Sequence, residues 1–346
     1  MMMKRNKTIS IAKAMAIILM VMGHCSCPES FRIYFCMFHM PLFFILSGYF
    51  FKTDVYEYKD LKHFFIKRYK GLCIPYLYWG LPFLLLSPLL VGWGYSASGY
   101  SGGVDLAKKI IRMLALTDSH YGEAQPGFWF IKSLLHGSLL VCVLTFVVNK
   151  LKLQGWLVLV VLITLAVWFT FHPLISMQKT IFGAIYGGTF YTIGHYYRNI
   201  IEKSITYSWS TIIFAALVVL IGSTTFGSSN FLHCDTPNLV ISYLFYGTIG
   251  TLMCMALSDK MKRIAKLEKL MTYIGDNTMI ILALHTPFIR FTNVLLVFVF
   301  GLPAMHMNEQ FFPNYLPMLW IVHASMGVGM PIFIKYVYDT LKTKCL

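Results

Sequence analysis

The sequence predicts an all-α, polytopic integral membrane protein with about ten transmembrane helices and both termini in the cytoplasm. Three observations predict this class. Of the 346 residues, 57% are hydrophobic and 12% are charged, whereas a soluble domain carries about 25% charged residues. Long apolar runs recur along the chain, and lysine and arginine gather in alternate segments between those runs. We expect a single transmembrane domain over residues 1–346.

Ten apolar runs approach or exceed the roughly 20 residues that an α-helix needs to cross a bilayer. The predicted spans are residues 9–26, 32–51, 73–94, 127–148, 155–172, 180–197, 209–226, 239–258, 273–300 and 315–338. The fifth span is short. The ninth is long enough to tilt, break or re-enter the membrane.

The distribution of basic residues orients these spans. If the N-terminus lies inside, the inner segments carry 20 lysines and arginines and the outer segments carry 4, so the positive-inside rule places both termini in the cytoplasm. The net charge of +15 follows from these loops. It does not indicate nucleic-acid binding, because no soluble domain remains to carry such a site. The eight cysteines are scattered without ligand spacing, so no metal is expected.

The first predicted helix carries two ionisable residues, Lys13 and His24. They are eleven residues apart, which is about 20° past three full turns, so they share one helix face about 16 Å apart along the axis. Ionisable groups inside a membrane are costly and usually face an internal cavity. The pair predicts a polar track through the bundle. The alternative is that Lys13 snorkels to the inner surface and His24 lies at the outer interface.

The second predicted helix places His39 about two turns below the outer surface. Pro41 follows it and frees nearby backbone carbonyls. Ser47 and Gly48 allow a close approach of another helix. His39 is either a functional residue or a structural histidine that is hydrogen-bonded between helices. Ser47 and Gly48 are either part of the site or serve only helix packing.

The fourth predicted helix begins with Trp129 at the outer interface. Lys132 and His136 follow on one face, four residues apart. Trp129 is either part of a binding site or an anchor in the aromatic belt.

The ninth predicted helix carries His285 and Arg290 in its outer half. Arg290 is either a buried functional cation or a marker of the membrane interface. The remaining histidines of the spans, His195 and His323, are interpreted as structural.

The inner loop "KDLKHFFIKRYKGLCIP" concentrates cations beside aromatic residues and includes Lys67, Arg68 and Lys70. One interpretation is attraction to anionic lipid head groups. The other is a clamp for a phosphate-rich cytoplasmic ligand.

Five stretches give a more specific indication: "SIAKAMAIILMVMGHC", "FCMFHMPLFFILSGYFF", "FIKRYKGLCIPYLYWG", "FWFIKSLL" and "YIGDNTMIILALH". In this order and spacing the chain resembles the membrane-bound acyltransferase 3 family over essentially its whole length. Its motifs resemble those of the fucose 4-O-acetylase-like, polysaccharide O-acetyltransferase branch of that family.

The resemblance implies ten helices and an acyl donor, acyl-CoA, taken from the cytoplasm; acetyl-CoA is expected. It implies a carbohydrate acceptor, on the cell surface or on a lipid-linked precursor, and residence in a bacterial inner membrane. His24 matches the family's essential histidine, and Lys13 occupies the position of its arginine. That lysine keeps the charge but loses the bidentate fork. Arg68, with Lys67 and Lys70, matches the basic residues implicated in CoA binding.

The chemistry follows from these residues. His24 is the expected general base, since an imidazole with a pKa of about 6.5 suits proton transfer at neutral pH. His39 would orient His24, act as a second base or stabilise the oxyanion. An acyl-histidine intermediate is the alternative to direct transfer. The remaining candidates for contact with substrate are Ser47, Trp129, Lys132, His285 and Arg290.

Several alternatives stay open at this point. Succinyl could replace acetyl as the acyl group. A proton-coupled transporter of a small solute would also use buried His, Lys and Arg, although no internal repeat supports it. A membrane scaffold without catalysis is the third class. The sequence indicates neither the acceptor's identity nor the oligomeric state.

Overall fold

The computed structural model describes residues 6–92, 99–114, 126–172, 178–227, 236–303, 306–307 and 318–344, and within these ranges every regular element is helical. The predicted all-α fold is thereby confirmed. Residues 93–94 of the third predicted span and 315–317 of the tenth lie outside the described ranges. Lys4 and Arg5, which entered the charge count, also lie outside them.

The described α-helices are numbered in chain order. They are α1 (Lys7–Gly23), α2 (Glu29–Cys36), α3 (His39–Gly48), α4 (Tyr58–Arg68), α5 (Ile74–Gly92), α6 (Gly103–Leu114), α7 (Trp129–Lys150), α8 (Leu157–Phe171), α9 (Gln178–Tyr196), α10 (Glu202–Ser204), α11 (Trp209–Phe226), α12 (Pro237–Met261), α13 (Ala265–Asp276), α14 (Thr278–Phe300) and α15 (Leu319–Lys344). Two π-helical turns, Tyr69–Cys73 and Tyr197–Ile201, and a 3₁₀ turn, Pro126–Phe128, complete the set.

A helix lies at each of the ten predicted spans. Within the described ranges, seven helical stretches are long and apolar enough to cross a membrane: Glu29–Gly48, Tyr58–Gly92, Trp129–Lys150, Trp209–Phe226, Pro237–Met261, Thr278–Phe300 and Leu319–Thr343. Of the other three, α1 and α8 are shorter, at 17 and 15 residues, and α9 is long enough but rich in glycine, threonine and tyrosine. The chain is therefore a multi-pass membrane protein.

Two predicted spans are interrupted. The second breaks between α2 and α3, where the Phe38 amide donates to the Phe35 carbonyl in a tight turn at 3.1 Å. Pro41 contributes to this break, because it has no N–H to offer the carbonyl of Met37. The ninth breaks between α13 and α14, at Asn277. The first break directly precedes His39, and the second precedes α14, the helix that carries His285.

The described chain divides into two compact units that interleave along the sequence. The first comprises residues 1–16, 33–73 and 130–275, and the second comprises residues 17–32, 74–129 and 276–346. Each unit draws on three separate segments, so neither is a contiguous sequence domain. The single-domain prediction stays a prediction.

In the first unit, α3 packs against α9 and α12, α11 packs against α12, and α8 packs against α9. The α3–α9 crossing is very close. A Cβ atom at Gly48 would lie 1.8 Å from the Tyr191 carbonyl oxygen, and one at Gly194 would lie 2.1 Å from that of Ile45. Glycine is required at both positions, because any side chain would collide with backbone that cannot rotate away. The predicted close approach at Gly48 is confirmed.

Buried hydroxyls of the first unit bond within their own helices. Thr189 donates to the Ile185 carbonyl at 2.8 Å, and Thr251 donates to that of Gly247 at 2.8 Å. This arrangement satisfies a polar group where no water is available.

In the second unit, α14 is the central helix. It packs along α15 and also contacts α5 and the 3₁₀ turn Pro126–Phe128. Gly327 of α15 lies close to Val21 and Ile289, since a Cβ atom there would meet their side chains at 2.8 and 3.2 Å. The residues around the end of α1 therefore pack near α14, which brings His24 to a helix from the far end of the sequence.

Candidate functional site

Among the described histidines of the second unit, His285 is the most enclosed, with no exposed surface. Its Nδ1 lies 3.1 Å from the Ile281 carbonyl oxygen and 3.0 Å from that of Leu282. Carbonyl oxygens only accept, so Nδ1 carries the proton and donates to them. In the neutral ring Nε2 then holds the lone pair. The hydroxyl of Thr286 lies 3.2 Å from Nε2 and can donate to it. The backbone of α14 thus fixes the tautomer and presents the basic nitrogen away from the helix axis.

His24 lies against His285. The ring centroids are 5.2 Å apart and the planes are tilted by 45°. His24 follows the last residue of α1, and its amide donates to the Val21 carbonyl at 3.0 Å, which closes the final turn. The structure therefore brings together two of the predicted site residues as an imidazole pair.

Gly127 makes room for this pair. It lies in the 3₁₀ turn before Trp129, and a Cβ atom there would be 2.8 Å from Leu282 Cδ1 and 3.4 Å from His285 Cε1. A side chain at this position would press on the histidine ring. The absence of a side chain at Gly127 therefore lets the backbone of the 3₁₀ turn pack directly beside Leu282 and His285.

Further along α14 lies a second set of buried polar residues. Arg290 is 2% exposed and Asn293 is fully buried. His323 of α15 has Nδ1 2.9 Å from the Leu319 carbonyl oxygen and Nε2 2.8 Å from Asn293 Oδ1. The interior of the second unit is therefore polar over several turns of α14, which is unusual for a membrane helix and typical of a substrate path or a catalytic centre.

The first unit holds a separate cluster around Arg68. This residue ends α4, directly before the π-helical turn Tyr69–Cys73, and such turns are frequent at functional sites. Nη1 of Arg68 donates to Ser47 Oγ at 3.3 Å, and Nη2 donates to the hydroxyl of Tyr191. The guanidinium lies 4.9 Å from the ring centroid of Tyr191 and 5.4 Å from that of Phe64. The hydrogen bonds and the rings together fix its orientation.

The start of α4 is also fixed. Glu57 and Asp60 form a reciprocal capping box. The backbone amides of Glu57 and Tyr56 donate to Asp60 Oδ2 at 3.0 and 3.2 Å. These bonds stabilise the first turn of the helix that carries Arg68.

Comparison with known families decides the class of protein. A family model described as an acyltransferase domain, that of the acyltransferase 3 family, matches residues 6–334. The chain belongs to the acyltransferase 3 family. It is accordingly a membrane acyltransferase, as the resemblance of its motifs predicted. No curated protein and no solved structure matches the chain.

The predicted residues of this acyltransferase fall into the two units separately. His24, Trp129, His285 and Arg290 belong to the second unit; Lys13, His39, Ser47, Lys67, Arg68, Lys70 and Lys132 belong to the first. His24 meets His285, and Arg68 meets Ser47. The roles of all these candidates stay predictions.

His39 is 8% exposed and begins α3. Its Nδ1 lies 3.0 Å from the Phe35 carbonyl oxygen, so Nδ1 is the donor and Nε2 is left with the lone pair. The ring meets Phe35 edge to face, with centroids 5.6 Å apart. The helix break before His39 thus creates a histidine with a fixed tautomer, like that of His285.

The remaining cations differ in exposure. Lys67 and Lys70 are exposed on either side of the inward-facing Arg68, and Lys13 is half-buried on α1. Lys132 is 6% exposed on α7, and Trp129 is half-buried at the start of that helix. Two lysines buried or half-buried in membrane helices are costly unless they serve a polar interior.

Sequence reasoning misses several residues of these clusters, Thr286 among them. Nothing in the sequence indicates Tyr191 or Gly127, because each contributes to a site only through a contact with residues distant in the sequence. His323 was interpreted as structural, and Asn293 was overlooked. A signal for Asn293 did exist: Thr286, Arg290 and Asn293 recur at spacings of four and three residues, which places them on one face of α14.

Proposed function

We propose that this acyltransferase moves an acetyl group from cytoplasmic acetyl-CoA to a hydroxyl of a cell-surface carbohydrate or of its lipid-linked precursor. Its location would be the inner membrane of a bacterium. Membership of the acyltransferase 3 family supports the acyl-transfer chemistry. The acetyl group, the carbohydrate and the location rest on the resemblance of the motifs.

The observation that carries the proposal is the contact between His24 and His285, with ring centroids 5.2 Å apart. O-acyl transfer requires that a hydroxyl lose its proton as it attacks, and a histidine is suited to accept that proton. A second imidazole with a fixed tautomer beside the first favours this role over a purely structural one, because it can stabilise the imidazolium that forms.

The reaction is a single displacement at the thioester. The acceptor oxygen attacks the carbonyl carbon while His24 takes the hydroxyl proton. A tetrahedral oxyanion forms, the C–S bond breaks, and CoA leaves as a thiolate that recovers the proton from the imidazolium of His24. His285 packs against His24 and orients its ring, and Thr286 holds the ring of His285. An enclosed site keeps water away from the thioester during the transfer.

Arg68 serves the donor in this proposal. A guanidinium held by Ser47 and Tyr191 presents its remaining donor capacity in a fixed direction, which suits the phosphates of CoA. Lys67 and Lys70 are exposed beside it and add positive charge at the same end of α4.

The test uses purified protein in nanodiscs with acetyl-CoA labelled in the acetyl group and a pool of cell-envelope glycans. The expected result is release of CoA together with label on a glycan or lipid-linked sugar. Succinyl-CoA in a parallel reaction tests the choice of acyl group. Folded protein that turns over neither donor with any glycan pool would overturn the proposed donor and acceptor.

A further inference from the structure

The first unit contains a cavity of about 250 Å³ that the proposed chemistry does not use. It lies between residues that follow α3 and the adjoining parts of α7, α8 and α9. Its walls combine the rings of Phe51, His195 and Tyr196 with the polar side chains of Thr145, Asn149 and Thr192. This volume falls below the roughly 300–1,000 Å³ of pockets for whole drug-sized ligands. The cavity therefore suits one planar ring system.

Asn149 has a fixed amide orientation. Its Nδ2 donates to the carbonyls of Thr53 and Val55 at 2.8 and 2.9 Å, so both N–H groups are used. Among the described residues no donor bonds its Oδ1. Because Asn149 lines the cavity, this oxygen is available to accept a hydrogen bond from a ligand.

The other polar walls are acceptors as well. Thr145 donates its hydroxyl proton to the Val141 carbonyl at 2.7 Å, and Thr192 donates to that of Gly188 at 2.9 Å. Their oxygen lone pairs remain. The cavity thus offers acceptors between aromatic faces, which matches a flat heterocycle that carries an amino group.

His195 contributes a ring and no free donor. Its Nδ1 lies 3.2 Å from the Phe51 carbonyl oxygen, and its Nε2 lies 3.2 Å from Asn199 Nδ2. With Nδ1 donating and Nε2 accepting, both nitrogens are satisfied and the ring is held in place. His195 therefore contributes a fixed aromatic wall against which a planar ring can stack.

The cavity adjoins the Arg68 cluster. Phe51 lies 5.4 Å from the ring of Tyr191 and 5.6 Å from that of Phe64, centroid to centroid. These are the two rings over which Arg68 lies. Lys52 and Lys150 are exposed, and each follows a lining residue in the sequence, Phe51 and Asn149 respectively. A planar base in the cavity would thus have several cations nearby.

We propose that this cavity binds the adenine ring of the acyl-CoA donor, with Asn149 Oδ1 accepting from the exocyclic amino group. An asparagine oxygen recognises adenine in this way in other contexts. The 5′-diphosphate would extend towards Arg68, and the 3′-phosphate towards Lys52 and Lys150. The inference rests on the proposed use of acyl-CoA, since the ligand's identity comes from that function.

The first experiment fills the cavity. Val158→Phe adds a ring inside it, and Val160→Phe, on the same helix but 45% exposed outside it, is the matched control. We expect Val158→Phe to raise the Kd for CoA at least tenfold and to leave turnover of S-acetyl-pantetheine, which lacks the nucleotide, within twofold of wild type. Val160→Phe should change neither quantity. A Val158→Phe protein that binds CoA as wild type does would overturn the inference.

The second experiment needs no variant, so a folding defect cannot obscure it. Wild-type protein is photolabelled with 8-azidoadenosine 3′,5′-bisphosphate, with and without excess CoA, and the modified peptides are sequenced. We expect CoA-protected label within residues 51–53, 145–149 or 192–196. Protected label confined to other segments would contradict the site while leaving the acyltransferase proposal intact. Absence of any CoA binding or CoA protection would contradict both.

Discussion

The imidazole rings of His24 and His285 lie in contact, with centroids 5.2 Å apart and planes tilted by 45°. His24 terminates the first helix and His285 lies in α14, so the pair joins the two ends of the sequence. Backbone carbonyls fix the tautomer of His285, and Thr286 bonds its second nitrogen. We regard the pair as the catalytic centre, and the first prediction follows from it.

Replacing His285 should lower catalysis without preventing donor binding. His285→Gln is expected to reduce the rate of acetyl transfer about 10²-fold, the size of a typical general acid–base contribution. The Kd for CoA should stay within about twofold of wild type. If the two rings act as a unit, the double variant His24→Ala/His285→Gln will be no slower than His24→Ala alone.

Single-turnover transfer of labelled acetyl measures these rates. His172→Gln is the control, since His172 is an exposed imidazole at the end of α8. Its variant should keep wild-type activity. Rates for the double variant equal to the product of the two single losses would mean that the histidines act independently.

The second prediction concerns the space beside His285. Gly127→Ala introduces a methyl group 2.8 Å from Leu282 Cδ1 and 3.4 Å from His285 Cε1. The His285 contact is an ordinary van der Waals distance, but the Leu282 side chain must move, and the Leu282 carbonyl oxygen is one of the two that hold His285 Nδ1. Because catalysis is sensitive to small displacements, kcat should fall about tenfold. Gly102→Ala, whose Cβ would meet nothing within 4 Å, should behave as wild type. Equal activities of the two variants would remove Gly127 from the site.

The third prediction addresses Arg68. Lysine cannot bond Ser47 and Tyr191 in the same fixed orientation, because it lacks the planar fork. Arg68→Lys should raise the KM for acetyl-CoA about tenfold with a smaller change in kcat. Tyr191→Phe removes only one hydrogen bond and should raise KM about threefold, in line with roughly 0.5–1.5 kcal/mol for such a bond.

Steady-state kinetics at several acetyl-CoA concentrations separates KM from kcat. Lys62→Ala removes an exposed cation of α4 that makes no part of the cluster and serves as the control. If Lys62→Ala raised KM as much as Arg68→Lys, general surface charge and not the Arg68 geometry would hold the donor.

The fourth prediction tests the packing that supports the Arg68 cluster. Gly48→Ala would place a Cβ atom 1.8 Å from the Tyr191 carbonyl oxygen. Overpacking usually costs about 1–3 kcal/mol, and backbone cannot rotate away, so α3 and α9 must separate. Thermal unfolding should occur several degrees lower than in wild type. Gly92→Ala, with open space around its Cβ, is the comparison. An unchanged unfolding temperature for Gly48→Ala would contradict this helix crossing.

Much of the helical layout could be predicted from the sequence, because hydrophobic length and loop charge depend on local composition. The span at 209–226 coincides with α11, and the doubt about the ninth span was justified by the break at Asn277. The specific motifs single out His24 and Arg68 as candidates, and their roles stay predictions. Ser47 was found beside Gly48, and the structure adds its bond to Arg68.

The contacts themselves could not be predicted, because they depend on how each helix is rotated about its axis. The sequence around a histidine on an apolar helix is the same whether its ring contacts a second imidazole or a carbonyl oxygen. The substrate contact expected of His285 stays a prediction, and the structure adds a contact with His24 that the sequence could not indicate. His323 looked isolated, but α15 brings it to Asn293 at 2.8 Å. Gly127 offered no sign that its missing side chain makes room for a histidine.

The most direct test of the central claim is a comparison of wild type with His24→Ala in nanodiscs, with acetyl-CoA labelled in the acetyl group and an envelope glycan pool as acceptor. Both proteins should bind CoA with similar affinity. The account predicts label on the glycan with wild type and a loss of about 10²-fold or more with His24→Ala. Transfer by His24→Ala at the wild-type rate would show that the imidazole pair is not the catalytic centre.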